Sequence, residues 1–291
     1  MLRRIFAKFY NSLPVVRDLH EIRLILQHME NQLSAQQAIR LLDFDLQHHA
    51  RYGDPRRLPR YQSQVCSQNG EDGIIHEIFR RIGTTARIFA EVGVENGFEN
   101  NTAFLLSQGW TGFWIDGGNT FLRTLQNRED LPEDCLKYLV SFVTNENIAA
   151  LFEQLGVPTE FDLLSIDIDQ NTYYAWEGLR PFRPRVVVVE YNAAIPPDVD
   201  WKVHYRANRT WNGTQNFGAS LKAFEILGRQ LGYSLVGCEF MGDNAFFVRN
   251  DLLAEKFAEP FTSENHYEPP RYPMRHRRLH SPTILDRTNT R

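Results

Sequence analysis

The sequence has only three cysteines in 291 residues, Cys66, Cys135 and Cys238, too few and too scattered for a disulfide framework or a zinc knuckle. A reducing, cytoplasmic setting is expected. No run approaches the roughly 20 apolar residues of a membrane helix, and the basic start lacks the apolar stretch and small-residue cleavage site of a secretory leader. The N-x-T sequons headed by Asn100, Asn208 and Asn212 then carry no weight. Excess positive charge is missing too: 32 Lys and Arg stand against 36 Asp and Glu, a net charge of −4, so no nucleic-acid partner is expected. Also absent is the G-x-G-x-x-G of a dinucleotide-binding turn. What is present is 12% aromatic residues and length enough for one main core with appendages.

Residues 88–118 organise the rest, because an apolar run, a glycine turn, a helix and a second apolar run follow one another there. That order predicts a β-α-β unit. Gly93 and Gly97 lie where the first strand turns into the helix, and Asp116 ends the second strand. Ligands of open α/β sheets bind at that edge. Glu91 and Glu95 flank the turn and would repel a pyrophosphate, yet they suit S-adenosylmethionine, which carries an ammonium and a sulfonium. Asp116 is then expected to accept bonds from both ribose hydroxyls. The plainer alternative is an ordinary turn with solvated acids.

Around this unit, Ser67-Gln68-Asn69-Gly70-Glu71 starts a helix that either is capped by Ser67 and Glu71 or presents Gln68 and Glu71 to the cofactor. A polar helix over 119–136 and a third strand over 138–143 are expected, with Asn145 beyond it near an adenine amino group or merely capping the next helix. A fourth strand, 161–166, runs into Asp167 and Asp169, and the Val186–Val189 run, buried on both faces, runs into Glu190 and Asn192. Asp167, Asp169, Glu190 and Asn192 form a hard-oxygen set suited to Mg²⁺, Mn²⁺ or Ca²⁺. The same acids also serve simply to hold a cationic cofactor and an acceptor hydroxyl. The loop 193–215 reads as a lid, with His204 as candidate general base beside Asp167. A helix to Leu231 and an antiparallel hairpin, 233–237 and 244–248, complete the domain.

Three segments follow: a helical arm over 1–58, a catalytic domain over 59–255, and a basic Pro- and Arg-rich tail over 256–291, loosely ordered from Glu264. In the arm, Leu19, Ile22, Leu26, Met29 and Leu33 keep a 3-4 spacing, the seam of an amphipathic helix over 14–50 or of a short coiled coil that would pair two copies. Arg3, Arg4 and Lys8 among apolar neighbours suit a peripheral membrane contact.

The motifs SQNGEDG (67–73), EVGVENG (91–97), GWTGFWIDG (109–117), DLLSIDID (162–169), VVVVEYN (186–192) and GDNAFFV (242–248) together resemble the FkbM-type class I S-adenosylmethionine-dependent methyltransferases. The resemblance covers about residues 61–252. It implies an α/β, Rossmann-like fold with a mostly parallel seven-stranded sheet and an antiparallel C-terminal hairpin. It also implies cofactor contacts at Glu91, Gly93, Gly97 and Asp116, and O-methylation of a sugar, glycan or other small hydroxyl acceptor, often alongside surface-polysaccharide synthesis. A non-catalytic binding module and an assembly partner of glycosyltransferases are the other expectations.

Overall fold

The computed structural model describes residues 48–126 and 135–271, together with positions 22, 23, 26, 40 and 44–46. Seven strands form one sheet: β1 Ile88–Val92, β2 Thr111–Asp116, β3 Leu136–Val140, β4 Glu160–Ile166, β5 Arg183–Glu190, β6 Tyr233–Cys238 and β7 Asn244–Arg249. Their order is β3-β2-β1-β4-β5-β7-β6, parallel through β5, with β7 antiparallel to both of its neighbours. This is the α/β, Rossmann-like arrangement expected from the sequence, a mostly parallel seven-stranded sheet with an antiparallel C-terminal hairpin. Helix α1 Glu71–Ile82 precedes the sheet, α2 Ala103–Ser107, α3 Phe121–Gln126, α4 Ile148–Leu155, α5 Thr172–Gly178 and α6 Leu221–Leu231 lie between strands, and a short α7, Ser263–His266, follows it.

The four-valine run shows why the core has two layers. Successive strand side chains point to opposite faces, so Val187 and Val189 join a cluster with Phe152, Trp176 and Phe224, while Val186 and Val188 join one with Ile74, Ile78 and Trp114. All four valines are fully buried. Both faces of the central strand are therefore covered by helices, as a parallel sheet requires.

Helix α1 starts in a polar knot whose centre is Asp72. Its Oδ2 accepts the amides of Val65, Cys66 and Ser67 at 2.8, 2.7 and 2.8 Å, and Ser67 Oγ accepts the Asp72 amide at 3.1 Å. This reciprocal bonding fixes the entry loop and leaves Glu71 free to face the sheet edge. Asp162, fully buried in β4, ties down the segment before β1 by accepting Thr85 N and Arg87 N at 2.7 Å each.

Three expectations are corrected. The third strand begins at Leu136 and ends at Val140, before Phe142 and Val143. It is an edge strand paired on one side only, so its side chains are mostly exposed and its apolar pattern does not mark where pairing stops. The domain also extends past both proposed boundaries. Leu58 is fully buried and packs on Gly237, and Phe257, Ser263, His266 and Glu268 are buried as well. The reason is a buried ion-pair node: Glu268 accepts Tyr52 Oη at 2.8 Å and pairs with Arg51 at 3.3 Å and Arg271 at 2.7 Å. Arg57 adds bonds to Asn265. Residues 50–58 and 257–271 thus clasp each other behind β6. Of the arm, the described positions 22, 23, 26, 40, 44–46 and 48 are helical. Its seam otherwise, and with it the pairing and membrane-contact readings, falls outside the described residues, as does the segment 272–291. Among the described residues no helix is long and apolar enough to cross a membrane.

Removing one member of such a node leaves charges without their partner. Glu268→Ala is expected to lower stability by about 3 kcal/mol, and a chain cut at residue 255 to lose cooperative unfolding. Urea melts of both variants check this; a wild-type midpoint for either would refute the clasp.

Candidate active site

A crevice opens where the strand order reverses, because the chain leaves β1 toward β2 and β3 on one side while β4 and β5 lie on the other. It forms a cavity of about 890 Å³ above the C-terminal ends of the parallel strands. Gly93 makes the junction possible. Its φ is +87°, and a Cβ there would sit 1.6 Å from the Asp167 carbonyl oxygen. The Gly93 amide donates to Ile115 O and the Asp167 amide to Val92 O, both at 2.9 Å, so the ends of three strands are laced together.

Asp116 closes the turn. Its Oδ2 accepts the amides of Val94 and Glu95 at 2.7 and 2.9 Å, and its Oδ1 accepts that of Gly118 at 2.6 Å. A carboxylate has about four lone-pair sites, so Asp116 has room for one further donor, where two ribose hydroxyls were expected. Glu91 faces the cavity but is wholly committed: it accepts Asn101 N at 3.0 Å, Thr102 N at 3.3 Å, and the side chains of Asn100 and Thr102. Burial pushes its carboxyl above the usual range, against the pull of those donors. Its role is to brace the 100–102 loop. Glu95 and Asp169, at φ +49° and +55°, hold left-handed backbone at the rim, a cost of about 1–3 kcal/mol each that concentrates at functional sites.

Of the expected cofactor contacts, Gln68, Glu71, Glu91, Gly93, Asp116 and Asp167 line the cavity. Gly97 and Asn145 do not. Gly97, φ +73°, packs beneath the turn against Trp114 and Phe121. Asn145 ties the loop after β3 to its surroundings, donating from Nδ2 to Tyr174 O at 2.7 Å and from its amide to Tyr205 Oη at 3.2 Å. The loop 193–220 is pinned at its foot by buried Trp201, whose amide and carbonyl bond Ser220. From it Arg209, Thr210, Trp211 and Phe217 reach the cavity, whereas His204 is exposed and lies outside it. His204, expected as the general base, is thus not brought to the cavity, whose floor is formed by carboxyls.

At that floor the carboxyls of Asp167 and Glu190 are neighbours, and both are held above the ordinary carboxylate range. Burial, together with repulsion from Asp167 and Asp169, raises Glu190 well above the carboxylate range. Asp167 touches cavity solvent while protein encloses it from below; burial and Asp169 push it up to about 7. The metal expectation is not supported. Among the described residues no three His, Cys, Asp or Glu side chains converge to hold an ion. Asn192 turns into the protein, where Nδ2 donates to Gln215 O and Phe217 O at 2.8 and 3.0 Å and Oδ1 accepts Ala194 N at 3.2 Å.

Asp243 and Asn244, not expected as site residues, line the cavity because β7 is antiparallel: its first residue pairs with Glu190, the last of β5. Asn69 Nδ2 donates to Asp243 at 2.7 Å and Asn244 Nδ2 to Glu71 at 2.8 Å. The glycine-aspartate-asparagine turn before an apolar strand was the available signal.

These raised carboxyls make stability depend on pH. Because both pKa values are raised in the folded chain, the contribution is complete below the ordinary carboxylate pKa of about 4 and is lost as pH rises through about 7. The melting temperature of the wild type should fall between pH 5 and 8, and Glu190→Gln should flatten that fall. Equal slopes in scans at constant ionic strength would rule out the raised pair.

No model of a known protein family matches the sequence, and no curated protein matches it. Among solved structures, the chain is similar to the N-terminal domain of EvdMO1 with S-adenosylhomocysteine bound, at 12% identity over 64% of this chain and 80% of that one, TM-score 0.39. It is similar to the O-methyltransferase from Bacillus cereus in complex with S-adenosylhomocysteine, at 14% identity over 55% and 66% of the two chains, TM-score 0.33. A third is the 1,6-didemethyltoxoflavin-N1-methyltransferase of Burkholderia thailandensis, at 12% identity over 61% and 76%, TM-score 0.38.

Proposed function

We propose that the protein is an S-adenosylmethionine-dependent methyltransferase of the FkbM type that methylates a hydroxyl of a sugar, glycan or other small acceptor. The observation that carries this reading is the state of the glycine turn. A turn that binds pyrophosphate offers its backbone amides to the anion, but here the amides of Val94 and Glu95 already donate to the Asp116 carboxylate. An anion is thus refused where a dinucleotide would place its phosphates. The surrounding charge agrees: nine of the cavity-lining residues are Asp or Glu and one, Arg209, is basic. A ligand bearing a sulfonium and an ammonium fits that field.

When bound, the cofactor supplies an activated methyl group on a positively charged sulfur. The chain's part is to orient the acceptor and take its proton. Alignment of the reacting atoms alone lowers such barriers by about 7–11 kcal/mol. Asp167, open to the cavity and with a pKa raised to about 7, is the group suited to receive the proton. Glu190 behind it keeps that pKa high. Trp211 and Arg209 on the lid face the acceptor, and the tyrosine-to-carboxylate bond from Tyr205 to Glu146 holds the lid against the loop after β3.

Asp116→Ala removes the acceptor for three amides and for the remaining ribose bond. It should weaken S-adenosylhomocysteine binding by at least about 2–3 kcal/mol. Titration calorimetry on the folded variant measures this; wild-type affinity, or tighter binding of NAD than of S-adenosylhomocysteine by the unaltered protein, would overturn the assignment. Binding without turnover across sugar and glycan acceptors would instead favour a non-catalytic module.

A further inference from the structure

Resting on the methyltransferase reading, we propose that the acceptor carries a protonated amino group beside its methyl-accepting hydroxyl, as an amino sugar or amino alcohol does, and that the β5–β7 side of the cavity binds that ammonium. Four of the nine acids, Glu91, Glu95, Glu99 and Asp116, belong to the end of β1, the glycine turn, its following loop and the end of β2. The other five, Glu71, Asp167, Asp169, Glu190 and Asp243, come from the start of α1, the ends of β4 and β5 with the residues after β4, and the turn before β7. Among the described residues the one lining Lys or Arg is Arg209, from the lid. Directly behind this group Glu239 is fully buried, and burial together with Glu71 and Asp243 raises its pKa well above the usual range. Carboxyls far outnumber cations around this side of the cavity.

The second observation is a set of oxygens that lack donors. Asn244 lines the cavity, is 6% exposed, and its Oδ1 accepts no hydrogen bond. Its orientation is forced, because Nδ2 must face the Glu71 carboxylate. Asn171, 3% exposed and also at the cavity, repeats the arrangement: Nδ2 donates to Arg206 O and Oδ1 has no partner. Buried acceptors left unmade cost about 1–3 kcal/mol each. They call for a ligand rich in donors.

Three ligand chemistries compete for such a wall. An anionic acceptor is repelled. A divalent ion needs several oxygens converging at about 2.0–2.6 Å, and the described residues offer no such group. A primary ammonium has three donors and tolerates acceptors spread around it at hydrogen-bond distance. A neutral polyol supplies donors without charge, so it would satisfy the asparagines and leave the carboxyls crowded.

The test uses D-glucosamine and D-glucose, which differ only at one amine, on the full chain near pH 6.5 at matched ionic strength, each with and without S-adenosylhomocysteine. Glucosamine should raise the melting temperature and bind at least ten-fold more tightly than glucose by calorimetry. Glu71→Gln, which can keep only one of the two bonds Glu71 accepts from Asn69 N and Asn244 Nδ2, should cut the preference several-fold, and Asp243→Asn serves if that variant folds poorly. Equal effects of the two sugars, no effect of either, or stabilisation by MgCl₂ in place of glucosamine would each overturn the inference. S-adenosylhomocysteine binding reads the methyltransferase proposal separately: a protein that binds it but ignores glucosamine loses only the amine inference, and one that prefers glucosamine but does not bind it loses the methyltransferase reading.

Discussion

The site depends on the contact between Gly93 and the backbone of Asp167. Parallel neighbours β1 and β4 end side by side, and the chain leaving β1 must pass over the end of β4; only a hydrogen fits where a Cβ would lie 1.6 Å from a carbonyl oxygen. The positive φ of the same residue swings the next two amides toward the end of β2, where Asp116 collects them. One absent side chain thereby sets both the depth of the crevice and its electrostatic character. With its amides spent on a carboxylate, the turn repels anions rather than cradling them.

Much of this arrangement was legible in the sequence because parallel strands announce themselves. Short apolar runs that stop at a carboxylate mark both the strand and the edge at which ligands bind, and Asp116, Asp167 and Glu190 were found that way. The third strand was misplaced for the complementary reason: an edge strand pairs on one side, so Phe142 and Val143 extend the apolar pattern after the ladder has ended. Gly97 and Asn145 have the residue types of cofactor contacts, but one supports the turn from below and the other bonds backbone. Residue type does not reveal which way a side chain faces.

The C-terminal clasp was illegible for a different reason. Residues 257–271 have no hydrophobic period, and their polar composition reads as a solvated tail. Their burial is decided by partners 216 positions away, where Tyr52 and Arg51 meet Glu268. No local pattern encodes a pairing of that range. The clasp also sits behind the hairpin whose turn delivers Asp243 to the cavity: Arg271 bonds the carbonyls of Phe240 and Met241, and the Pro269 carbonyl lies where a Cβ on Gly242 would be. The tail that composition separates from the domain holds one wall of the site.

That wall explains why so many acids can share a small volume. Asp243 and Asn244 enter from the start of an antiparallel strand, opposite Glu190 at the end of a parallel one, so the hairpin brings carboxyls to an edge that already has its own. Like charges so placed cannot all ionise. The protein answers with raised pKa values at Asp167 and Glu190 and with donors fixed from neighbouring elements, Asn69 to Asp243 and Asn244 to Glu71. What these leave over is a cavity rich in carboxyls beside asparagine oxygens that accept no hydrogen bond. Burial and Asp169 hold Asp167 near 7, which suits the proton-accepting role proposed for it, and a cationic substrate entering the cavity would lower that pKa by relieving the repulsion. Arrival of the substrate would thus deprotonate its own base, which ties the readiness of Asp167 to occupancy of the β5–β7 side.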